Sequence, residues 1–404
     1  MRKENPRLGT AVICGAFLVV AVACGSGAQS ASNPTAPGGD PAPADPKMPV
    51  SETASPAASP PGSPAASPPT SDSGVASELG DAATDASLSN GPVDVAAATC
   101  AVPLPAGTPR AAALPVYAGT CPVLAAPPAL TTIATSGAQR SFLVFRPASI
   151  APGETLPVVF LWQWLGGSPD GVASRFEVQN AVDARRFIGV IPAPKGDVLF
   201  RWPFEASQPQ SRVDEEARFF DDMLACVGAA LPANKECVSS VGVSAGALWT
   251  AQLATVRSER LASMVSLSGG VGGGIVRGWT PPPHHLPALV LWGGPSDTYP
   301  AQAPIMNFQN ASKNLLGALA ADGHFIVECT HNCGHAIPPF DAPAPGSGAL
   351  FMDPVWRFVL DHPFWLPPSA SPYVSKPLAA PFPSWCGKGV GSATPRPSGA
   401  ACQP

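Results

Sequence analysis

Apolar and polar residues follow two different periodicities from about residue 140 to residue 366. Continuous apolar runs, such as Leu156–Trp162 and Ala288–Trp292, are typical of strands buried on both faces of a sheet. Longer stretches with helical spacing, such as Ala245–Val256, lie between such runs. The other predicted strands are Ser141–Arg146, Phe187–Ile191, Cys237–Val243, Met264–Leu267 and Phe325–Cys329, and the other predicted helices are Val172–Arg186, Asp214–Leu231, Phe308–Ala321 and Asp353–Asp361. This alternation predicts an α/β fold in which helices cover both faces of a mostly parallel sheet.

Composition changes this picture for the N-terminal part of the chain. Residues 25–98 contain 13 of the 52 prolines and no aromatic residue or histidine. Such a segment cannot bury enough apolar surface to offset the entropy of an ordered chain. We therefore expect 25–98 to be a disordered Pro/Ala/Ser-rich linker, 99–366 to be the folded domain, and 367–404 to be a Pro/Gly-rich tail held by disulfide bonds.

The net charge of −5 is unevenly distributed along the chain. Residues 25–98 carry eight acidic residues and one lysine, and 1–24 carry a net charge of +2, so 99–404 is neutral overall. A neutral folded region lacks the basic surface that binds nucleic acid, and we therefore expect no nucleic-acid partner.

The N-terminus has the layout of an export signal. Basic residues precede an apolar stretch, Leu8–Val22, that is too short to span a bilayer comfortably. The segment ends in Ala21-Val22-Ala23-Cys24, which resembles a bacterial lipobox. This pattern predicts a lipoprotein signal peptide over 1–24 and an extracytoplasmic protein that contacts a membrane only through acylated Cys24. Ser26, at the second position after cleavage, resembles the residue found in lipoproteins of an outer membrane. The alternative is an ordinary cleaved signal peptide and a secreted protein, in which Cys24 is incidental.

An exported protein folds in an oxidising compartment, so its cysteines are expected to form disulfide bonds. Eight cysteines follow Cys24, and an even number in an oxidising compartment indicates up to four disulfide bonds. Eight cysteines allow 105 pairings, so the connectivity is open. The simplest expectation joins neighbours along the chain, which are Cys100 with Cys121, Cys226 with Cys237, Cys329 with Cys333, and Cys386 with Cys402.

A candidate nucleophile lies between a predicted strand and a predicted helix. The segment Gly242-Val243-Ser244-Ala245-Gly246 matches G-x-S-x-G, the pattern of a nucleophile elbow. The elbow exposes the serine hydroxyl on a strained turn, and its glycines let the strand and the helix approach closely. Ser244 is therefore the expected nucleophile. The alternative is a Gly/Ala-rich turn with an idle serine.

The residues that would activate this serine are expected in the chain order Ser, acid, His. Asp297 lies in the loop after the strand Ala288–Trp292 and is the expected acid, with Asp322 and Glu328 as poorer candidates. His335 lies in the loop after the next strand and is the expected general base, with His331 in reserve. The remaining histidines are expected to be structural, namely His284, His285, His324 and His362.

A metal site is the competing hypothesis for this histidine-containing segment. Cys329, His331, Cys333 and His335 alternate along the chain and are of the residue types that bind zinc. In an extended strand the first and last of them would lie about 20 Å apart, too far for one ion. We therefore expect disulfide bonds rather than a metal at this segment.

An oxyanion hole requires two backbone N–H groups. The expected donors are Ala245, which follows the serine, and Trp164, in the loop after the strand Leu156–Trp162. Trp162 and Gln163 are predicted to line the adjacent substrate pocket because they lie at the end of that strand. Trp202 is a further candidate for the pocket wall.

Together these residues resemble the alpha/beta-hydrolase superfamily, and within it the polyhydroxybutyrate depolymerase and feruloyl esterase branch. The resemblance covers roughly 115–365 and includes Gly119–Pro122 and Trp356–Pro363. Members usually carry His-Gly where this chain has Gln163-Trp164. No separate polymer-binding module is matched.

The resemblance implies an alpha/beta-hydrolase catalytic domain over 99–366 that hydrolyses esters through an acyl-enzyme without a cofactor. Ser244, Asp297 and His335 would form the triad. The expected protein is an exported serine carboxylesterase acting on hydroxyalkanoate, feruloyl or acetyl esters, including polymeric ones. Two alternatives stay open, a serine peptidase of the same fold and a non-catalytic surface lipoprotein that binds a glycan or a protein partner.

Overall fold

The computed structural model describes residues 99–196, 201–338, 340, 343–344, 346–375, 377–396 and 402. The predicted signal peptide with Cys24 and the predicted linker lie outside the described residues. Among the residues that the structure describes, no helix combines the length and the apolar character needed to cross a bilayer.

Nine strands form the main sheet in the order β1-β2-β4-β3-β5-β6-β7-β10-β11, and β8 and β9 form a separate small hairpin. The strands are β1 Thr131–Thr135, β2 Ala138–Phe145, β3 Leu156–Trp162, β4 Ile188–Pro192, β5 Ala233–Val243, β6 Ser263–Leu267, β7 Ala288–Trp292, β8 Thr298–Tyr299, β9 Met306–Asn307, β10 Ile326–Thr330 and β11 Cys386–Lys388. Strands β3 to β7 and β10 run parallel to their neighbours, whereas β1, β2 and β11 pair antiparallel at the edges.

Within the described ranges, six α-helices lie on both faces of this sheet. They are α1 Pro169–Arg175, α2 Val178–Arg185, α3 Gln210–Ala230, α4 Ala245–Val256, α5 Phe308–Ala321 and α6 Asp353–Leu360. Buried side chains of α3, α4 and α5 form one hydrophobic core with alternate positions of β3, including Phe160. The intervening positions of β3, including Leu161, pack with α1, α2 and α6 in a second core. The predicted mostly parallel sheet with helices on both faces is therefore confirmed.

The long helix predicted over Val172–Arg186 is wrong in one respect, because the structure divides it into α1 and α2. Phe176 ends the first helix, and Glu177 adopts a left-handed backbone with φ of 48° before the second. A left-handed residue cannot continue a right-handed helix. The division turns the chain so that both short helices pack their buried valines on the same core.

The disulfide bonds connect residues that are distant in sequence, so the neighbour pairing expected above is wrong. The bonds join Cys100 to Cys237, Cys121 to Cys226, Cys329 to Cys386, and Cys333 to Cys402. Sequence proximity failed as a guide because packing brings separate elements together. Strands β10 and β11, for example, pair directly at Cys329 and Cys386.

The segment expected to be an irregular tail also contributes to the folded body. Its strand β11 extends the sheet at the β10 edge. Tyr373, Phe382 and Trp385 are buried in the same core as α6. The aromatic residues explain this difference, because they give the Pro/Gly-rich segment enough apolar surface to pack.

Candidate active site

Ser244 lies on a sharp turn between β5 and α4 and adopts a φ of 55° and a ψ of −119°. A positive φ is uncommon for a residue with a side chain and marks local strain. A Cβ on Gly242 would lie 2.2 Å from the carbonyl oxygen of Gly246, and a Cβ on Gly246 would lie 2.1 Å from that of Trp162. Both glycines of the motif are therefore required by the close approach of backbone to backbone.

The structure brings Ser244, His335 and Asp297 together. His335 Nε2 lies 2.8 Å from Ser244 Oγ, and His335 Nδ1 lies 2.8 Å from Asp297 Oδ1. Asp297 is fully buried, whereas the His335 side chain is 15% exposed. Both contacts are within hydrogen-bonding range. The arrangement permits a proton to pass from the serine oxygen to the imidazole while the carboxylate holds the other ring nitrogen.

The carboxylate of Asp297 is held by two donors on its other oxygen. Ser268 Oγ donates to Asp297 Oδ2 at 2.9 Å, and the backbone N–H of Gly293 donates to the same oxygen at 2.7 Å. These bonds fix the carboxylate with Oδ1 directed at His335. Sequence reasoning missed both donors, although Ser268 immediately follows the buried strand β6, at the same edge of the sheet as the loop of Asp297.

The loop that carries His335 is fixed by close backbone contacts. Gly334 has a φ of 69°, and its N–H donates to the carbonyl of Gly293 at 2.8 Å. A Cβ on Gly293 would lie 1.8 Å from the carbonyl oxygen of Gly334. Phe308 stacks on the imidazole of His335 with ring centroids 4.0 Å apart and planes inclined by 13°. This stacking restricts rotation of the ring.

Two disulfide bonds hold the same loop covalently. Cys333, two residues before His335, is bonded to Cys402, and Cys329 in β10 is bonded to Cys386. Arg396 adds a backbone hydrogen bond of 2.9 Å to the carbonyl of Thr330. The C-terminal segment therefore braces the position of His335.

The reserve base, His331, occupies a different environment. It is 1% exposed, and its Nδ1 accepts a hydrogen bond from the N–H of Cys333 at 3.2 Å. Burial lowers the pKa of His331 to about 4, so the imidazole is neutral at neutral pH. The hydrogen bond to Ser244 is made by His335 instead.

The poorer acid candidates have other partners. Asp322 accepts a hydrogen bond from the indole of Trp279, and Glu328 accepts one from the indole of Trp292. Neither carboxylate is bonded to His335. Among the described residues, no cluster of three or more His, Cys, Asp or Glu side chains has a geometry that could hold a metal ion.

The expected oxyanion donors flank Ser244. Ala245 is the first residue of α4, so its N–H has no acceptor within the helix. Trp164 lies in the loop after β3, and within the described chain its N–H donates to no backbone carbonyl. Trp164 also lines a cavity that includes Ser244 and His335. Both N–H groups are therefore available to a ligand.

Three residues predicted to line the pocket are instead part of the protein interior. Trp162 is 1% exposed, with its indole donating to Ser240 Oγ at 3.0 Å, and Trp202 is 1% exposed, with its indole donating to the carbonyl of Gln163 at 2.9 Å. The Gln163 side chain is fully buried. Trp162 is buried because alternate β3 side chains point into the core beneath the sheet edge. A role of the three residues in substrate binding stays a prediction.

Two cavities adjoin Ser244. One, of about 150 Å³, is lined by Trp164, His335 and Ile337 among others. The other, of about 230 Å³, is lined mainly by apolar side chains. Leu165 and Tyr299 contribute to both cavities. Neither residue was singled out from the sequence, because Leu165 lies in a loop, Tyr299 lies in the two-residue strand β8, and neither belongs to a motif.

A larger cleft of about 830 Å³ lies elsewhere, at the amino ends of β3 and β5. Its charged side chains are paired with one another or with neighbours. Arg186 lies 2.6 Å from Glu154, and Arg185 lies 2.7 Å from Asp353. The cleft contains no nucleophile hydrogen-bonded to a base among the described residues, and we refer to it below as the amino-end cleft.

The structure is similar to the crystal structure of native sOPH, with a TM-score of 0.52 and 18% sequence identity over 68% of this chain and 97% of that chain. Native pOPH is similar at a TM-score of 0.50 and 17% identity, over 64% of this chain and 94% of that chain. Together with the strand order and the elbow at Ser244, this similarity decides the fold. This chain has the alpha/beta-hydrolase fold.

The alpha/beta-hydrolase fold assigned from the motifs is thereby confirmed. A poly(3-hydroxybutyrate) depolymerase, LpqC from Bordetella parapertussis, is similar at a TM-score of 0.40 and 18% identity, over 52% of this chain and 85% of that chain. No family model matches the sequence, and no curated protein matches it. In this hydrolase fold, Ser244, Asp297 and His335 all follow the carboxyl ends of strands, where loops from parallel strands converge.

Proposed function

We propose that this protein is an exported serine carboxylesterase that cleaves hydroxyalkanoate, feruloyl or acetyl esters through an acyl-enzyme. The observation that carries the proposal is the continuous chain of two 2.8 Å contacts from Ser244 through His335 to Asp297, with the serine on a strained elbow. An idle serine on a turn would not require a buried carboxylate aligned behind the histidine.

In the first step, His335 Nε2 accepts the proton of Ser244 as the serine oxygen forms a bond to the ester carbonyl carbon. The carbonyl oxygen becomes an oxyanion, which the N–H groups of Ala245 and Trp164 stabilise. Asp297 stabilises the imidazolium and keeps the ring in the tautomer that accepts at Nε2. Collapse of this intermediate breaks the bond to the alcohol, which leaves with the proton from His335.

In the second step, water attacks the acyl-enzyme and His335 accepts one of its protons. The proton passes to Ser244 as the acid is released, and the enzyme returns to its starting state. The exposed fraction of His335 gives water access to the imidazole. The cycle requires no cofactor.

Labelling by a fluorophosphonate probe tests the activated serine in the full-length protein. We expect labelling of the wild type and none of Ser244→Ala or His335→Ala. Ser211→Ala, an exposed serine in α3, is the matched control and is expected to label like the wild type. Absence of labelling in a folded, disulfide-bonded wild type would overturn the mechanism and favour the non-catalytic surface protein.

The peptidase alternative is tested by turnover of matched substrates. We expect hydrolysis of p-nitrophenyl butyrate and little hydrolysis of the corresponding p-nitroanilide by the same preparation. Faster cleavage of the amide would assign the site to a peptidase.

Export and lipid anchoring form a separate part of the proposal. Four disulfide bonds support folding outside the reducing cytosol. Metabolic labelling with palmitate tests the anchor, and we expect incorporation that Cys24→Ala abolishes. An unlabelled wild type in the culture medium would replace the anchor with plain secretion. A labelled Cys24→Ala protein would show that another residue is acylated.

A further inference from the structure

The two cavities beside Ser244 differ in their relation to His335. The cavity of about 150 Å³ includes His335 itself, together with Trp164 and Ile337. The cavity of about 230 Å³ is not lined by His335 and includes Ala245 and Leu248 of α4. An ester bound at Ser244 has two arms, so each cavity can receive one of them.

Proton transfer decides which arm enters which cavity. The alcohol oxygen leaves with a proton supplied by His335 Nε2, so this oxygen must lie within hydrogen-bonding reach of the imidazole. The alcohol arm therefore lies in the cavity that contains His335. The acyl arm then enters the other cavity, which His335 does not line and which we call the acyl cavity.

The chemistry of the acyl cavity restricts what it can bind. Among the described residues that line it, only Ser244 and Tyr299 have polar side chains, and none carries a charge. Its apolar surface is formed mainly by Phe204, Leu248, Ile275, Ile305, Met306 and Phe308. A hydroxyl group buried against these residues would lose its hydrogen bonds to water without gaining a partner.

The size of the acyl cavity sets an upper limit on the acyl group. Its volume is about 230 Å³. A dry apolar cavity of about 150 Å³ holds one benzene molecule, so this cavity has room for roughly six to eight carbon atoms. Leu165, Tyr299 and Ile305 are exposed near it, so its entrance is also apolar.

We propose that the preferred substrates are esters of compact, wholly apolar acyl groups of about six to eight carbons, linear or aromatic, and that Ile275 is a determinant of this preference. The inference rests on the proposed esterase function. It departs from the three ester classes named there, because hydroxyalkanoate and feruloyl groups carry a free hydroxyl and an acetyl group fills little of the cavity.

The first test is the acyl-length profile of the full-length wild type. The substrates are p-nitrophenyl acetate, butyrate, hexanoate, octanoate and dodecanoate, which share one leaving group. We expect kcat/KM to rise about threefold to fourfold for each added methylene up to hexanoate or octanoate, and to fall at dodecanoate, which overfills the cavity. We also expect methyl hexanoate to be preferred over methyl 6-hydroxyhexanoate by about 5-fold to 100-fold.

Variants in each of the two cavities show which cavity determines the preference for acyl length. Ile275→Trp fills the acyl cavity and is expected to lower the hexanoate-to-acetate ratio of kcat/KM at least about tenfold. Ile275→Ala enlarges the cavity and is expected to move the optimum to longer chains. Ile337→Trp, the matched control in the cavity with His335, is expected to leave that ratio within about twofold.

Fluorophosphonate labelling of each sample separates the possible failures. Three results with a labelled wild type would overturn the assignment of the acyl cavity but not the esterase function. They are an optimum at acetate, an equal rate for the hydroxylated ester, and an acyl-length profile that changes in Ile337→Trp but not in the Ile275 variants. A folded wild type that does not label would overturn the esterase and this inference with it. Should Ile275→Trp fail to fold, the Ile275→Ala profile decides the outcome.

Discussion

The two ends of the sheet present opposite combinations of size and polar organisation. At the carboxyl end, cavities of about 150 and 230 Å³ adjoin a serine, a histidine and a buried carboxylate joined by hydrogen bonds. At the amino end, a cleft of about 830 Å³ has charged side chains held in ion pairs. The comparison shows that backbone strain and aligned hydrogen bonds identify the candidate active site better than cavity volume does.

The largest expected effect on activity comes from replacing the carboxylate of Asp297 by an amide. In Asp297→Asn, the amide oxygen can still accept from Ser268 and Gly293, which leaves the amide N–H₂ facing His335. The histidine is then held in the wrong tautomer, and we expect kcat to fall about 10⁴-fold with little change in thermal stability. Steady-state kinetics and a melting curve measure the two effects.

The matched control is Glu236→Gln at the amino-end cleft. Glu236 is 7% exposed and accepts a hydrogen bond from the N–H of Ala111 at 2.8 Å. We expect kcat/KM within about twofold of the wild type, because this carboxylate is remote from the site. A comparable loss in both variants would remove the functional distinction between the two ends.

The next largest effect is expected from paired disulfide deletions. Replacing Cys333 and Cys402 by serine, or Cys100 and Cys237 by serine, is expected to lower the free energy of unfolding by about 2–4 kcal/mol in each case. Only the first pair adjoins His335, so only its removal should also lower kcat, by about 10-fold to 100-fold, through misplacement of the imidazole. Equal kcat values for the two double variants would show that the C-terminal segment does not position the histidine.

A smaller effect is expected from titration of the buried histidine His362. Burial lowers its pKa to about 4, whereas an unfolded histidine titrates near 6.5. As pH falls through this window the unfolded chain takes up the proton first, so stability present above pH ~6.5 is progressively lost toward pH ~4. We expect His362→Gln to reduce the slope of unfolding free energy against pH by about 1.4 kcal/mol per pH unit there.

Denaturant unfolding at several pH values measures this slope. The pH profile of kcat should be the same in the wild type and in His362→Gln, because His362 bonds to Phe358 and Ser371 rather than to the site. A shifted pH profile of kcat in His362→Gln would show that this histidine is coupled to the candidate active site.

The smallest effect is expected from Trp202→Phe. The change removes the indole donor to the carbonyl of Gln163, and we expect a loss of about 1 kcal/mol in the free energy of unfolding. The acyl-length profile should not change, because Trp202 is buried in the core. A changed profile at unchanged stability would restore Trp202 to the substrate pocket.

The fold and the polar part of the candidate site could be predicted from the sequence because both have local signals. Continuous apolar runs identified the central strands, and four elements, β3, α4, β7 and α5, begin and end at the predicted residues. The elbow motif identified Ser244. Asp297 and His335 followed because parallel strands place their subsequent loops at one edge of the sheet.

What could not be predicted depends on contacts between distant segments. The disulfide connectivity follows from the packing of distant segments, which no local spacing encodes. Whether Trp162 lines a pocket or packs in the core depends on the face of β3 from which its side chain projects. The donors to Asp297 lie in loops, and the walls of the acyl cavity come from loops, the β8–β9 hairpin, α4 and α5. No local pattern shows that these segments meet beside Ser244.

The bond between Cys333 and Cys402 also imposes an order of events on the maturation of the protein. Translation reaches Ser244, Asp297 and His335 well before it reaches Cys402, and the bond further requires an oxidising compartment. The covalent brace beside the histidine is therefore completed only after all three polar residues have been synthesised. A chain retained in a reducing cytosol would carry all three polar residues and still lack this brace, which couples maturation of the site to the compartment in which the protein folds.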